Sequence, residues 1–175
     1  GPLGTGFAVE AGRPTLLLAG GIGIAPFYGY ADRHPSPEQL SMLFGHRQIS
    51  DCYPMDSLSQ MIDVEHFRER KPADIPVFQD MIRARMKACR SKDGLALACG
   101  PMPFLRMIWE YALEIGLPTQ LSLEQRMACG VGACLGCVTR TSMHWADAEK
   151  AGLPVQTCTS GPVFWAEDID LKAGA

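Results

Sequence analysis

The stretch Thr15-Leu16-Leu17-Leu18-Ala19-Gly20-Gly21-Ile22-Gly23-Ile24-Ala25-Pro26 decides the fold. Its first five residues are a short, mostly apolar run. Pro14 precedes the run and two glycines close it, which suits a strand buried on both faces of a parallel sheet. The glycines then turn the chain into Pro26, a good first-turn helix residue, and Phe27 to Arg33 reads as a short helix. Bare backbone N–H groups at such a turn can receive phosphates. The strict G-x-G-x-x-G fingerprint fails, because Pro26 stands where its third glycine would be. A tight strand-to-helix turn without a ligand therefore remains an open alternative at this point.

The same pattern repeats downstream. Leu40 to Gly45 reads as a second apolar strand. From Ile75 to Cys89, residues Val77, Phe78, Met81, Ile82 and Met86 fall on one helical stripe. Leu95 to Cys99 is a third strand and ends at Gly100-Pro101. Residues 103 to 115 form a helix with Phe104, Leu105, Ile108, Tyr111, Ala112 and Ile115 on its apolar face, stopped by Gly116. Thr119 to Leu123 is a fourth strand. Strands alternating with helices give an α/β layer fold with a parallel sheet. Asp63 to Lys71 is charge-dense and reads as a solvated face. After Glu124 the texture changes to crowded glycines and cysteines, so two units are expected, 1–124 and 125–175.

Composition sets the outer bounds. The chain has 175 residues, 47% hydrophobic and 20% charged, which excludes disorder as an overall description. A net charge of -3 offers no basic footprint, so no nucleic-acid partner is expected. No apolar run approaches the ~18 residues of a membrane span. Seven cysteines, an odd number with no secretory signal before them, favour a metal or redox site in a reducing compartment over a disulfide framework. A cytoplasmic setting is the expectation. No Ser/His/Asp or paired-carboxylate logic emerges, and no catalytic residue is assigned.

Four of the cysteines lie in the last third. Cys129, Cys134 and Cys137 are spaced C-x4-C-x2-C, and Cys158 follows after twenty residues. This is the plant-type [2Fe-2S] spacing. Thiolates are the soft ligands such clusters select. The glycines of the loop let its backbone curl around one small object and aim N–H groups at sulfur. Zinc is the alternative, but four-cysteine zinc sites pair C-x2-C with C-x2-C, and the second half here supplies one cysteine. Cys52 and Cys89 read as an ordinary surface or buried thiol. Cys99 ends a strand at the sheet edge where α/β folds bind ligands, with an ordinary buried strand-end thiol as an equal alternative.

Three motifs then show a resemblance. Ala19 to Pro26 resembles the glycine motif of the ferredoxin-reductase nucleotide domain. Cys99-Gly100-Pro101-Met102-Pro103 resembles that family's Cys-Gly-Pro turn, near nicotinamide and flavin. Met127 to Cys137, with Cys158-x-x-Gly161-Pro162-Val163-Phe164, closely resembles the electron-transfer subunits of dihydroorotate dehydrogenase B. Gly1 to Phe7 matches their Gly-Pro-Leu-Gly-x-Gly-Phe loop, which argues against reading Gly1-Pro2-Leu3-Gly4 as a cloning remnant.

The resemblance implies a ferredoxin-reductase-type nucleotide-binding domain followed by a small [2Fe-2S] module. It implies Cys129, Cys134, Cys137 and Cys158 as cluster ligands. It places nucleotide approach at Gly20, Gly21, Gly23, Cys99, Gly100 and Pro101, with Gly6 and Phe7 at a flavin seam. FAD and NAD are the implied cofactors. The implied partner is an FMN-containing catalytic subunit that oxidises dihydroorotate for pyrimidine synthesis, in a heterotetramer. An equivalent reductase subunit of a hydrogenase or of a ferredoxin–NADP transhydrogenase is the runner-up, and a zinc-stabilised interaction module a third reading.

Two departures stand out. Family members begin with a β-barrel of about a hundred residues that holds most FAD contacts, so this chain is expected to be the C-terminal part of such a subunit. The family also carries an Asp-Gly-Ser turn between the second and third strands read here, whereas residues 46 to 93 contain no glycine. That region should shape the nicotinamide site, so the acceptor stays open between NAD and another molecule.

Overall fold

The computed structural model describes residues 4–49 and 52–172. The first three residues of the Gly1–Phe7 loop lie outside them. The expected strand at Thr15 is present as β1, Thr15–Gly20, buried along its whole length. A single 3-10 turn, Gly21–Ile24, leads into α1, Ala25–Arg33, with proline in its first turn. Next come β2, Leu40–His46, and α2, Met55–Met61, then β3, Asp63–Arg68, and α3, Asp74–Arg90. β4 spans Leu95–Cys99, α4 Met102–Ile115 and β5 Thr119–Ser122. Gly116 ends α4 in the left-handed conformation, with φ 68°, as the sequence predicts.

The described strands form a sheet of order β3-β2-β1-β4-β5-β8, where β8 is Val163–Trp165. The first five strands are parallel and β8 runs antiparallel to β5. The architecture is thus a mixed, mainly parallel α/β sheet, as the resemblance to the ferredoxin-reductase nucleotide domain implies. Leu16 and Leu18 of β1 pack with Phe78, Ile82 and Met86 of α3 and with Leu105 and Ile108 of α4. Leu17 and Ala19 face the other way, onto Phe27 of α1 and Leu58 of α2. Period-two alternation on a strand buried on both faces explains why the whole run is apolar.

Two features depart from the sequence reading. Asp63 to Lys71 is not simply a solvated face: its first six residues are β3, paired in parallel with β2 from Ser41↔Asp63 to His46↔Arg68. An edge strand can be this polar because only one of its sides is paired, and charges there oppose further strand addition. Helix α2, just before it, has a single fully buried anchor, Leu58, and leaves little periodic signal.

The second feature is β8, which arrives from beyond residue 124. Leu123 N–H donates to the Pro162 carbonyl at 2.9 Å, and the Trp109 indole on α4 donates to the Ala166 carbonyl at 2.8 Å. Between β5 and β8 lie a small hairpin and a helical turn: β6, Val138–Arg140, pairs antiparallel with β7, Pro154–Gln156, and α5 is Thr157–Ser160. Among the described residues, no helix is long and apolar enough to cross a membrane.

Candidate metal centre and nucleotide cleft

The loop after β5 curls tightly. Gly130 and Gly132 have φ of 68° and 84°, and Leu135 also adopts positive φ, at 58°. A Cβ on Gly132 would also press Thr159 Cγ2, 3.1 Å away on α5, so this glycine serves both the turn and the close approach. The curl aims backbone donors at sulfur. Cys134 N–H donates to Cys129 Sγ, and Gly136 N–H donates to Cys134 Sγ, each at 3.4 Å. The N–H groups of Val131 and then Cys134 hold the Cys129 thiol down at about 6.

The other two cysteines come together by a different route. Cys137 directly precedes β6, and Cys158 sits in α5 directly after β7. Thr157 N–H donates to the Cys137 carbonyl at 2.8 Å, which locks the two ends of the hairpin side by side. The Cys137 thiol beside it and then burial raise the Cys158 thiol, and the Gly132 N–H from the loop opposes that shift. Cys129 and Cys134 are exposed, whereas Cys137 and Cys158 are buried.

Cys129 therefore lies with Cys134, and Cys137 with Cys158, while Gly132 links the loop to the second pair. A two-iron cluster takes two thiolates on each iron, so this donor set, with its N–H groups aimed at sulfur, fits [2Fe-2S].

In the cluster-free chain the depressed Cys129 thiol gives a measurable sign. Its folded value lies below the ~8.5 of a free cysteine, so thiolate is present above pH 6 rather than only above about 8. Alkylation of Cys129, followed by peptide mass spectrometry, is expected to reach half its maximal rate near pH 6. A midpoint above pH 8 would show that the loop does not hold its donors on that sulfur.

A cleft of about 470 Å³ opens at the carboxyl ends of β1, β2 and β4, on the α3 and α4 side. β1 lies between β2 and β4, so strand order reverses there, and open α/β sheets bind ligands at such a point. Gly20, Gly21 and Pro101 line it, with Arg47, Tyr53, Phe78 and Phe104. Gly23 does not line the cleft. It is tucked under the β4 turn, where any Cβ would overlap the Cys99 carbonyl and lie 2.7 Å from the Gly100 nitrogen. Gly100 in turn packs on Gly20: its Cβ would lie 3.1 Å from the Gly20 Cα. The glycine turn and the Cys99–Pro101 turn are thus one packed unit.

Gly6 and Phe7 lie elsewhere. Phe7 stacks on Phe27 of α1 at 5.4 Å, and Gly6 is exposed with open space around it. Cys99 packs on this same side of the sheet, where burial raises its thiol. Phe7 and Cys99 therefore lie on one face of this sheet edge, and Gly20, Gly21 and Pro101 open onto the other. A further contact was hidden in the sequence. His46 Nε2 meets His66 Nδ1 at 3.0 Å, and His46 Nδ1 donates to the Gln48 carbonyl at 2.7 Å. The pair depends on the β2–β3 register, which a charge-dense stretch did not reveal.

Residues 124–170 match the iron-sulfur cluster binding domain of dihydroorotate dehydrogenase B. An electron transfer subunit of dihydroorotate dehydrogenase B (NAD(+)) from Caldanaerobacter subterraneus subsp. tengcongensis is 30% identical over 171 residues, 97% of this chain. The corresponding subunit from Bacillus caldolyticus is 34% identical over 176 residues, 98% of this chain. The chain is a relative of these electron-transfer subunits. It spans 64% of the length of each. Among solved structures, a chain of the NADH-dependent reduced ferredoxin-NADP oxidoreductase superposes with a TM-score of 0.69 at 23% identity, over 98% of this chain and 59% of that one. That likeness bears on the fold, which it shares across both the sheet and the cysteine-rich end.

Proposed function

We propose that the chain is the iron–sulfur and nucleotide-binding part of an electron-transfer subunit. It relays electrons from an FMN-containing partner subunit, which oxidises dihydroorotate, toward FAD and a nicotinamide dinucleotide, in an assembly with two copies of each subunit. The pairing of Cys129 with Cys134 and of Cys137 with Cys158 carries this reading. When bound, the cluster supplies a one-electron relay. The protein contributes four thiolates, a curled backbone of N–H donors, and a fixed position beside the sheet edge. In this reading the 470 Å³ cleft takes the dinucleotide, whose phosphates approach Gly20 and Gly21. Phe7 and Cys99 form one wall for the flavin on the opposite face. The chain works as a conduit in the cytoplasm rather than as the site of dihydroorotate chemistry.

The test is direct. The purified chain is expected to carry about two irons and two sulfides and to show visible and reduced-state EPR signals. Mixed with the FMN-containing subunit, its cluster should be reduced when dihydroorotate is added. Stoichiometric zinc without iron would overturn the redox reading. Tight co-purification with a hydrogenase or transhydrogenase instead would overturn the pyrimidine assignment.

A flavin held against one wall loses the preorganisation of a closed site. FAD is therefore expected to bind residues 1–175 weakly or not at all by equilibrium dialysis. Tight binding should return in a chain extended to the full length of the relatives. Stoichiometric FAD retained by residues 1–175 through gel filtration would show that the flavin contacts lie within this chain.

A further inference from the structure

Thr157 precedes the ligand Cys158 and sits opposite Cys137, whose carbonyl accepts its backbone N–H at 2.8 Å. Its own carbonyl accepts from Gly161 N–H at 3.0 Å. The main chain is thus fully used, yet the side-chain hydroxyl is buried without any hydrogen-bond partner. The residue is 0% exposed, so water does not reach it freely. The other such atoms among the described residues, His34 Nε2 and Arg83 Nε, belong to α1 and α3 surroundings far along the chain from any ligand. A buried polar group left unpaired is costly, and native proteins rarely leave one without a reason. Here the missing acceptor has an obvious chemistry. Thiolate and sulfide sulfurs carry no proton, so they can only accept, and a threonine hydroxyl has one proton to give.

We infer that the Thr157 hydroxyl donates a hydrogen bond to a sulfur of the cluster and raises its reduction potential. This rests on the [2Fe-2S] reading of the four cysteines. Reduction adds negative charge to the cluster, and a donor aimed at sulfur stabilises the reduced form more than the oxidised one. Cys137 and Cys158, the two ligands flanking Thr157, are the buried pair. A dipole acts more strongly there than on the exposed pair, because surrounding water screens it less. Thr157 is a positioning residue in this role, since it ligates nothing itself.

The experiment is an EPR-monitored redox titration of the whole chain with Thr157→Val, Thr157→Ala and Thr157→Ser. Valine keeps the shape and removes the proton. The midpoint of Thr157→Val is expected to fall by the equivalent of a tenfold change in the reduction equilibrium, about 59 mV for one electron. Thr157→Ala should fall in the same direction, and Thr157→Ser should stay near wild type. Wild-type and Thr157→Val midpoints that coincide overturn the inference, as does a serine variant that shifts as far as valine. If both apolar variants fail to take up a cluster while serine succeeds, the hydroxyl serves assembly and the tuning role is overturned. A wild-type chain without iron or EPR signal fails the cluster reading instead, and is recognised before any variant is compared.

Discussion

Cys134→Ala is expected to bleach the purified chain completely, removing both the visible bands and the reduced-state EPR signal. Cys134 lies with Cys129 through the 3.4 Å contact from its own N–H to the Cys129 sulfur. Deleting its thiolate leaves one iron of the proposed cluster with a single protein ligand, and no nearby cysteine can replace it. Cys52 lies in the loop after β2, three strands across the sheet from β5, and Cys89 sits on α3 with its sulfur 3.5 Å from the Leu95 carbonyl at the start of β4. Cys52→Ser should therefore keep the full spectrum. Iron analysis alongside the spectra separates loss of the cluster from loss of the protein. An unbleached Cys134→Ala chain would remove Cys134 from the ligand set and break the pairing on which the functional reading rests.

Gly23→Ala is expected to be strongly damaging for a single added methyl. The added carbon would overlap the Cys99 carbonyl, and the groups it meets are backbone, not the free end of a side chain. β1 and β4 are hydrogen-bonded neighbours in the middle of the sheet, with Ala19 opposite Cys99, so neither can retreat. Overpacking of this kind costs about 3 kcal/mol or more. For a chain of this size that lowers Tm by roughly 6–12 °C. Dinucleotide binding should fall with it, because the two turns beside the cleft are packed through this residue. Gly29→Ala is the control: it lies in α1 with open space at its Cβ position, and should stabilise slightly. A thermal melt in which Gly23→Ala matches wild type would refute the close approach.

Most of the sheet was legible from the sequence because its strands are buried on both faces. Leu16-Leu17-Leu18 and Leu95-Ala96-Leu97-Ala98 satisfy two cores at once, and such runs have few other uses. The cysteine spacing was legible for a similar reason, since few other sites need three thiols on one glycine-rich loop. Edge elements were not. β3 is paired on one side and exposed on the other, so its charges conceal it, and α2 holds on by Leu58. β8 was missed as a strand because three residues carry no periodicity, and its place follows from β5, about forty residues earlier. Thr157 has no sequence signal at all. Only its buried and unpartnered hydroxyl, beside two cysteine segments that the hairpin brings together, sets it apart from the other threonines.

The return of β8 to β5 also bears on how the protein is made. Until Val163–Trp165 has been synthesised, the outer edge of β5 presents unpaired N–H and C=O groups. During translation the α/β half therefore emerges with an adhesive border, open to pairing with another nascent chain. The segment that closes that border is the one that has just passed through Cys158. Protection of that edge and arrival of the fourth cysteine thus come together, within a few residues of chain growth. A stop codon between the two cysteine pairs would leave an incomplete cluster site and a sheet ready to stick.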